Sequence, residues 1–101
     1  MAFLKELFFK PYPAHAQAEV DKLIEELVRI GKTDDFLSER PMSGFNMEKR
    51  HIRARDIGKR LYDLGGFELM EYVIKKIRKR LSSNLAAHLS FAWADVGGWA
   101  P

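Results

Sequence analysis

By type and spacing, the residues of this chain that could do chemistry are its histidines, the cation run KKIRKR at 75–80 and the two tryptophans of LSFAWADVGGWAP. His15, His51 and His88 stand apart in sequence. None has a second histidine three or four residues away, and no HExxH-like pair is present, whereas a zinc site needs three or four convergent ligands. The 101 residues contain no cysteine, which excludes thiolate nucleophiles, disulfides and cysteine metal sites. There is no phosphate loop, no GxSxG elbow and no nucleophile–base spacing. The chain therefore reads as a non-enzyme with no cofactor and no metal. Any unrecognised catalytic site belongs to the irregular stretch 40–46, because loops carry function that spacing rules do not detect.

The cations suggest a different chemistry. Residues 41–101 carry 11 Lys and Arg against 6 Asp and Glu, while residues 1–40 carry 6 against 8. Lys75, Lys76 and Lys79, joined by Lys49, Arg53 and Lys59 of the preceding segment, could meet phosphates and form a sequence-independent nucleic-acid site. A solvated face explains the same residues. Cations in the last turns of a helix complement its dipole, and Glu71 and Asp56 are spaced to pair with Lys75 and Arg60. No aromatic side chains interleave with the run for base stacking. The stretch ARDIGKRLYDLGGFELMEYV imitates a helix-turn-helix, but its second helix would open with Phe67, Glu68 and Glu71, presenting carboxylates where base contacts should form.

Trp93 follows Leu89 by four residues and falls on an apolar stripe. Trp99 lies beyond Gly97 and Gly98. There it either folds back onto the last helical turn or joins an exposed aromatic patch. AFLKELFFK offers a second patch through Phe3, Leu4, Leu7 and Phe8. Extended apolar patches mark interfaces, and aromatic anchors dominate their energetics. Phe3, Leu4, Leu7, Phe8 and Trp99 are thus the candidate partner-binding residues, for another protein or for a second copy in a homodimer.

Helices must position all of these groups. Ala16, Val20, Leu23, Ile24, Leu27 and Ile30 repeat at helical spacing over 14–30, ending at Gly31. Thr33 is expected to cap short turns through TDDFLSE, and Asn46 a helix over 47–64 with Met47, His51, Ala54, Gly58 and Leu61 inward. Gly58 on that face predicts close helix–helix contact. After Gly65 and Gly66, a helix over 67–81 buries Phe67, Met70, Val73, Ile74, Ile77 and Leu81. Ser82 to Asn84 then turn into a last helix over 85–96. Alternating strand patterns are absent.

The expected fold is all-α, a small antiparallel bundle of four to five helices in a single domain over 1–101. Its parts are a short amphipathic helix at about 2–10, a main bundle at about 14–96 and an aromatic tail at 97–101. The 47% apolar and 31% charged fractions are those of a globular chain. No run approaches the ~20 apolar residues of a membrane span. MAFLKELFF before AHA imitates a signal peptide, but Lys5 and Glu6 interrupt it, so the expected location is the cytoplasm. The expected function is a protein-interaction module.

Overall fold

The computed structural model describes residues 10–33, 36 and 45–101, excepting the side chains of 45–47. Pro13 precedes a 3-10 turn, Ala14–Ala16, which leads directly into helix α1, Gln17–Thr33. Val20, Leu23, Ile24, Leu27, Val28 and Ile30 form its buried stripe. The helix runs past Gly31 instead of ending there. Gly31 is inside it because Leu81 and the Phe36 ring lie where a β-carbon would be. The Thr33 hydroxyl donates back to the Arg29 carbonyl at 3.0 Å within the last turn of α1, and the short turns expected through TDDFLSE lie largely outside the described residues. Of TDDFLSE only Thr33 and Phe36 are among the described residues.

Helix α2, Phe45–Arg80, contains one non-helical residue, Gly66, at φ 65° and ψ −158°. That conformation is accessible essentially only to glycine, and it turns the chain back on itself. The ion pairs reveal the reversal. Glu19 and Glu26 of α1 pair with Arg60 and Arg53, so the first arm (45–65) runs antiparallel to α1. Tyr12 packs on Tyr72 and Glu25 pairs with Arg80, so the second arm (67–80) runs back alongside α1.

Helix α3, Ser83–Ala92, comes at once, with the Ser82 hydroxyl accepting from the Leu85 amide at 3.0 Å. It ends four residues before the expected boundary. Trp93 is its C-cap, and Asp95, left-handed at φ 68°, opens a 3-10 turn, Val96–Gly98. The Asp95 amide donates to the Trp99 carbonyl at 2.9 Å and closes the tail into a compact loop.

Among the described residues there are three α-helices and two 3-10 turns, with no strand. The all-α class holds, and the count of four to five helices is corrected. Gly66 alone of the glycine pair leaves the helical conformation, and the two helices expected on either side of it are the two arms of α2. The expected helix at 2–10 lies outside the described residues.

The arms, α1 and α3 enclose a core that includes Leu27, Ile57, Leu61, Leu69, Met70 and Trp93. Trp93 is fully buried and donates its indole N–H to the Ala54 carbonyl at 2.9 Å. Gly58 supplies the slot for its ring. A β-carbon there would lie 2.6 Å from the indole. Glycine inside a helix costs about 1 kcal/mol against alanine, and this contact offsets it. Phe67, expected on the buried face, is 42% exposed. The break at Gly66 sets the inward stripe of the second arm on Leu69, Met70, Val73 and Ile77 and leaves Phe67 at the rim.

Candidate functional site

Phe67 stands beside Trp99 and Tyr62 at the mouth of an open groove of about 520 Å³. One wall is the second arm of α2, which contributes Glu71, Ile74, Lys75 and Arg78, and the other includes Ser90 of α3 and the tail from Gly98 onward. The helical period explains the first wall. Phe67, Glu71, Ile74, Lys75 and Arg78 recur at three- and four-residue steps on one face of the arm. That face is adjacent to the buried stripe, so it carries both apolar and charged side chains.

Two rings line the groove, Phe67 and Trp99, and they are the middle of a longer ladder. Trp93 contacts Trp99 edge-to-face with centroids 5.9 Å apart, Trp99 contacts Phe67 at 5.9 Å, and Phe67 contacts Tyr62 at 5.4 Å. Such pairs contribute about 0.5–1.5 kcal/mol beyond area burial. The ladder climbs from a fully buried ring to rings 42% and 39% exposed. Trp99 is half-buried and donates its indole N–H to the Ser90 hydroxyl at 3.1 Å. It therefore both covers the end of the core and lines the groove.

Two cations, Lys75 and Arg78, and one carboxylate, Glu71, also line the groove. Among the described residues, Lys75 and Arg78 form no ion pair, although Glu71 has the spacing to reach Lys75. The other cations are differently placed. Arg53 makes a two-point contact with Glu26, Lys59 lies 3.9 Å from Asp56, and Lys49 is engaged as well. Lys76 sits over the Tyr72 ring, 5.3 Å from its centroid, and Lys79 is exposed. The six cations considered for phosphate thus do not form one free surface. Aromatic rings do lie beside the basic run, contrary to the expectation from sequence, but they come from Phe67, Tyr72 and the tail.

The seam between α1 and α2 is electrostatically closed. Arg60 grips Glu19 at 2.6 and 2.9 Å, and Arg80 grips Glu25 at 2.7 and 3.2 Å. Hydrogen bonds from the guanidinium groups hold Glu19, Glu25 and Glu26 below the usual glutamate range. Burial first, then the neighbouring Tyr72, pushes the Tyr12 hydroxyl up to about 12. The pair Asp56–Arg60, favoured by sequence spacing, gives way to the longer-range pair of Arg60 with Glu19.

Sequence spacing gave no sign of Arg55. It donates to the carbonyls of Ala92 and Ala94 at 2.6 and 2.9 Å, satisfying groups that the end of α3 leaves without intrahelical partners. This holds the segment that carries Trp93 and leads to Trp99. Phe67 was also missed as a surface residue. The shared face of Phe67, Ile74, Lys75 and Arg78 was the available signal.

The histidines do not converge. His15 is exposed, His51 donates through Nδ1 to the Phe36 carbonyl at 2.8 Å, and Nδ1 of His88 is buried without a hydrogen-bond partner among the described residues. Among the described residues no group of three His, Asp or Glu could hold a metal ion, and no helix is long and apolar enough to cross a membrane. Phe3, Leu4, Leu7, Phe8 and positions 40–44 lie outside the described residues. No protein-family model, curated protein or solved structure matches this chain.

Proposed function

We propose that this chain is a small cytoplasmic protein-interaction module, not an enzyme, and that the groove beside Phe67 and Trp99 is its binding face. One observation carries this reading: a solvent-open groove is lined by two aromatic rings and by two cations that have no carboxylate partner within the described residues. Phe67 is 42% exposed and lines the groove, and a partner that covers it gains hydrophobic area and an aromatic anchor. Another protein, or a second copy of this chain, would supply that cover.

A sequence-independent nucleic-acid face ranks second. Lys75, Lys76 and Lys79 favour it, but Arg53 is already held by Glu26 and Lys59 lies beside Asp56, which weakens the contribution from the first arm.

Panning a random peptide library on the folded protein tests the proposal. Peptides selected by the native chain should lose binding to Phe67→Ala while that variant keeps its thermal transition. Selection of no peptide that depends on Phe67 would count against the groove.

A further inference from the structure

The groove is lined by polar as well as apolar side chains. Along the arm that forms one wall, Phe67 comes first with Trp99 beside it, Glu71 and Ile74 next, and Lys75 and Arg78 last. From Phe67 to Arg78 the arm rises about 16 Å at 1.5 Å per residue, enough for about three helical turns of an occupant. Whatever fills it must meet apolar rings first and cations after them.

We infer that the occupant is an acidic peptide segment, which seats a bulky apolar side chain on Phe67, Ile74 and Trp99 and places carboxylates on Lys75 and Arg78. This inference rests on the interaction reading above and adds the partner's chemistry. Charge complementarity is its main support. Lys75 and Arg78 border the groove, and neither forms an ion pair with a carboxylate among the described residues. An amphipathic segment laid in a groove uses apolar anchors at helical spacing, with charged residues at the rim setting its direction.

A nucleic-acid strand fits the same wall less well. Glu71 lies between the ring end and the cations and would face a phosphate backbone with a like charge. Base stacking requires an open ring face, while Trp99 is held between Trp93 and Phe67 in edge-to-face contacts. Glu71 is no obstacle to a peptide, since it can receive a basic group or a backbone amide at the anchor end.

The peptides recovered by panning serve as the probes, compared with versions in which every acidic residue is replaced by lysine and with an oligothymidylate. Affinities are measured by fluorescence anisotropy against the native chain, Lys75→Glu/Arg78→Glu, and Lys22→Glu/Lys32→Glu, which changes net charge equally on the exposed side of α1. Recovered peptides should carry acidic residues beside an apolar anchor. They should lose about tenfold or more in affinity on the first double variant, as expected for removal and reversal of two charge contacts. The α1 variant should change affinity little, and lysine-substituted peptides should not bind.

Equal losses on the two double variants, or equal binding of the lysine-substituted peptides, overturn the inference. So does tighter binding of the oligothymidylate that depends on Lys75 and Arg78, which would make the groove a nucleic-acid face. If the selected peptides require Phe67 but carry no acidic residues, the inference fails and the interaction reading stands. If none requires Phe67, both fail.

Discussion

Trp93 and Trp99 belong to one ring ladder and touch each other, yet one is structural and the other half-open to a groove. Trp93 enters a slot made by Gly58 and finds a backbone carbonyl of α2 inside the core. Trp99 finds a serine hydroxyl at the rim, with Phe67 beyond it. What separates them is what surrounds each ring. A buried indole needs a matched acceptor and a fitted cavity, whereas a rim indole remains available to a partner. The cations divide in the same way. Arg53, Arg60 and Arg80 are committed to carboxylates of α1, while Lys75 and Arg78 stand beside the open rings.

Substitutions at the closed end should have the largest effects. Trp93→Ala should cost about 3–5 kcal/mol by leaving a cavity, read as a lower denaturant midpoint. A cost under about 1 kcal/mol would erase the distinction between the two tryptophans. Gly66→Ala should come next at about 1–3 kcal/mol. A β-carbon meets nothing within 4 Å there, so the whole cost is that of a backbone conformation alanine avoids. Arg55→Ala should cost about 1–3 kcal/mol by leaving helix-end carbonyls unpaired, and it should also broaden the amide resonances of residues 94–99, since the tail loses its anchor.

The seam between α1 and α2 predicts a pH response. Carboxylates held below their usual range stabilise the fold fully above about pH 4.3, and this contribution is lost as pH falls through their depressed folded-state values. Thermal midpoints should therefore decline in acid, with a shallower decline in Glu26→Gln. Tyr12 acts at the opposite extreme. Its hydroxyl ionises at about 10 in an unfolded chain and at about 12 in the fold, so stability should fall across that interval and Tyr12→Phe should remove part of the fall. Phe67→Ala should cost less than Trp93→Ala, about 1–3 kcal/mol for two lost ring pairs at a ring already 42% exposed, while peptide binding should be lost altogether.

Much of this architecture was legible in the sequence. The stripe of α1, the burial of Trp93 and the close contact at Gly58 agree with helical spacing, and Ser82 with cap chemistry. The helix count was not legible. GG signals a break, but not that Gly65 stays helical and Gly66 alone reverses the chain. The exposure of Phe67 depends on the direction in which the second arm leaves that reversal, and no local pattern encodes it. Charge partners were misread for the same reason. Spacing favours pairs within a helix, whereas Arg60 and Arg80 reach carboxylates 41 and 55 residues away. The groove was half-legible, since Phe67, Ile74, Lys75 and Arg78 share a face in the sequence, but the wall supplied by Trp99 required the tail to fold back.

An amide NMR titration of the isotope-labelled protein with a panned acidic peptide tests the central claim most directly. The account predicts shifts concentrated in residues 67–78 and 98–101, with the Trp99 indole N–H moving and that of Trp93 nearly still. Shifts centred on Lys49, Arg53 and Lys59, or a Trp93 response as large as that of Trp99, would contradict it.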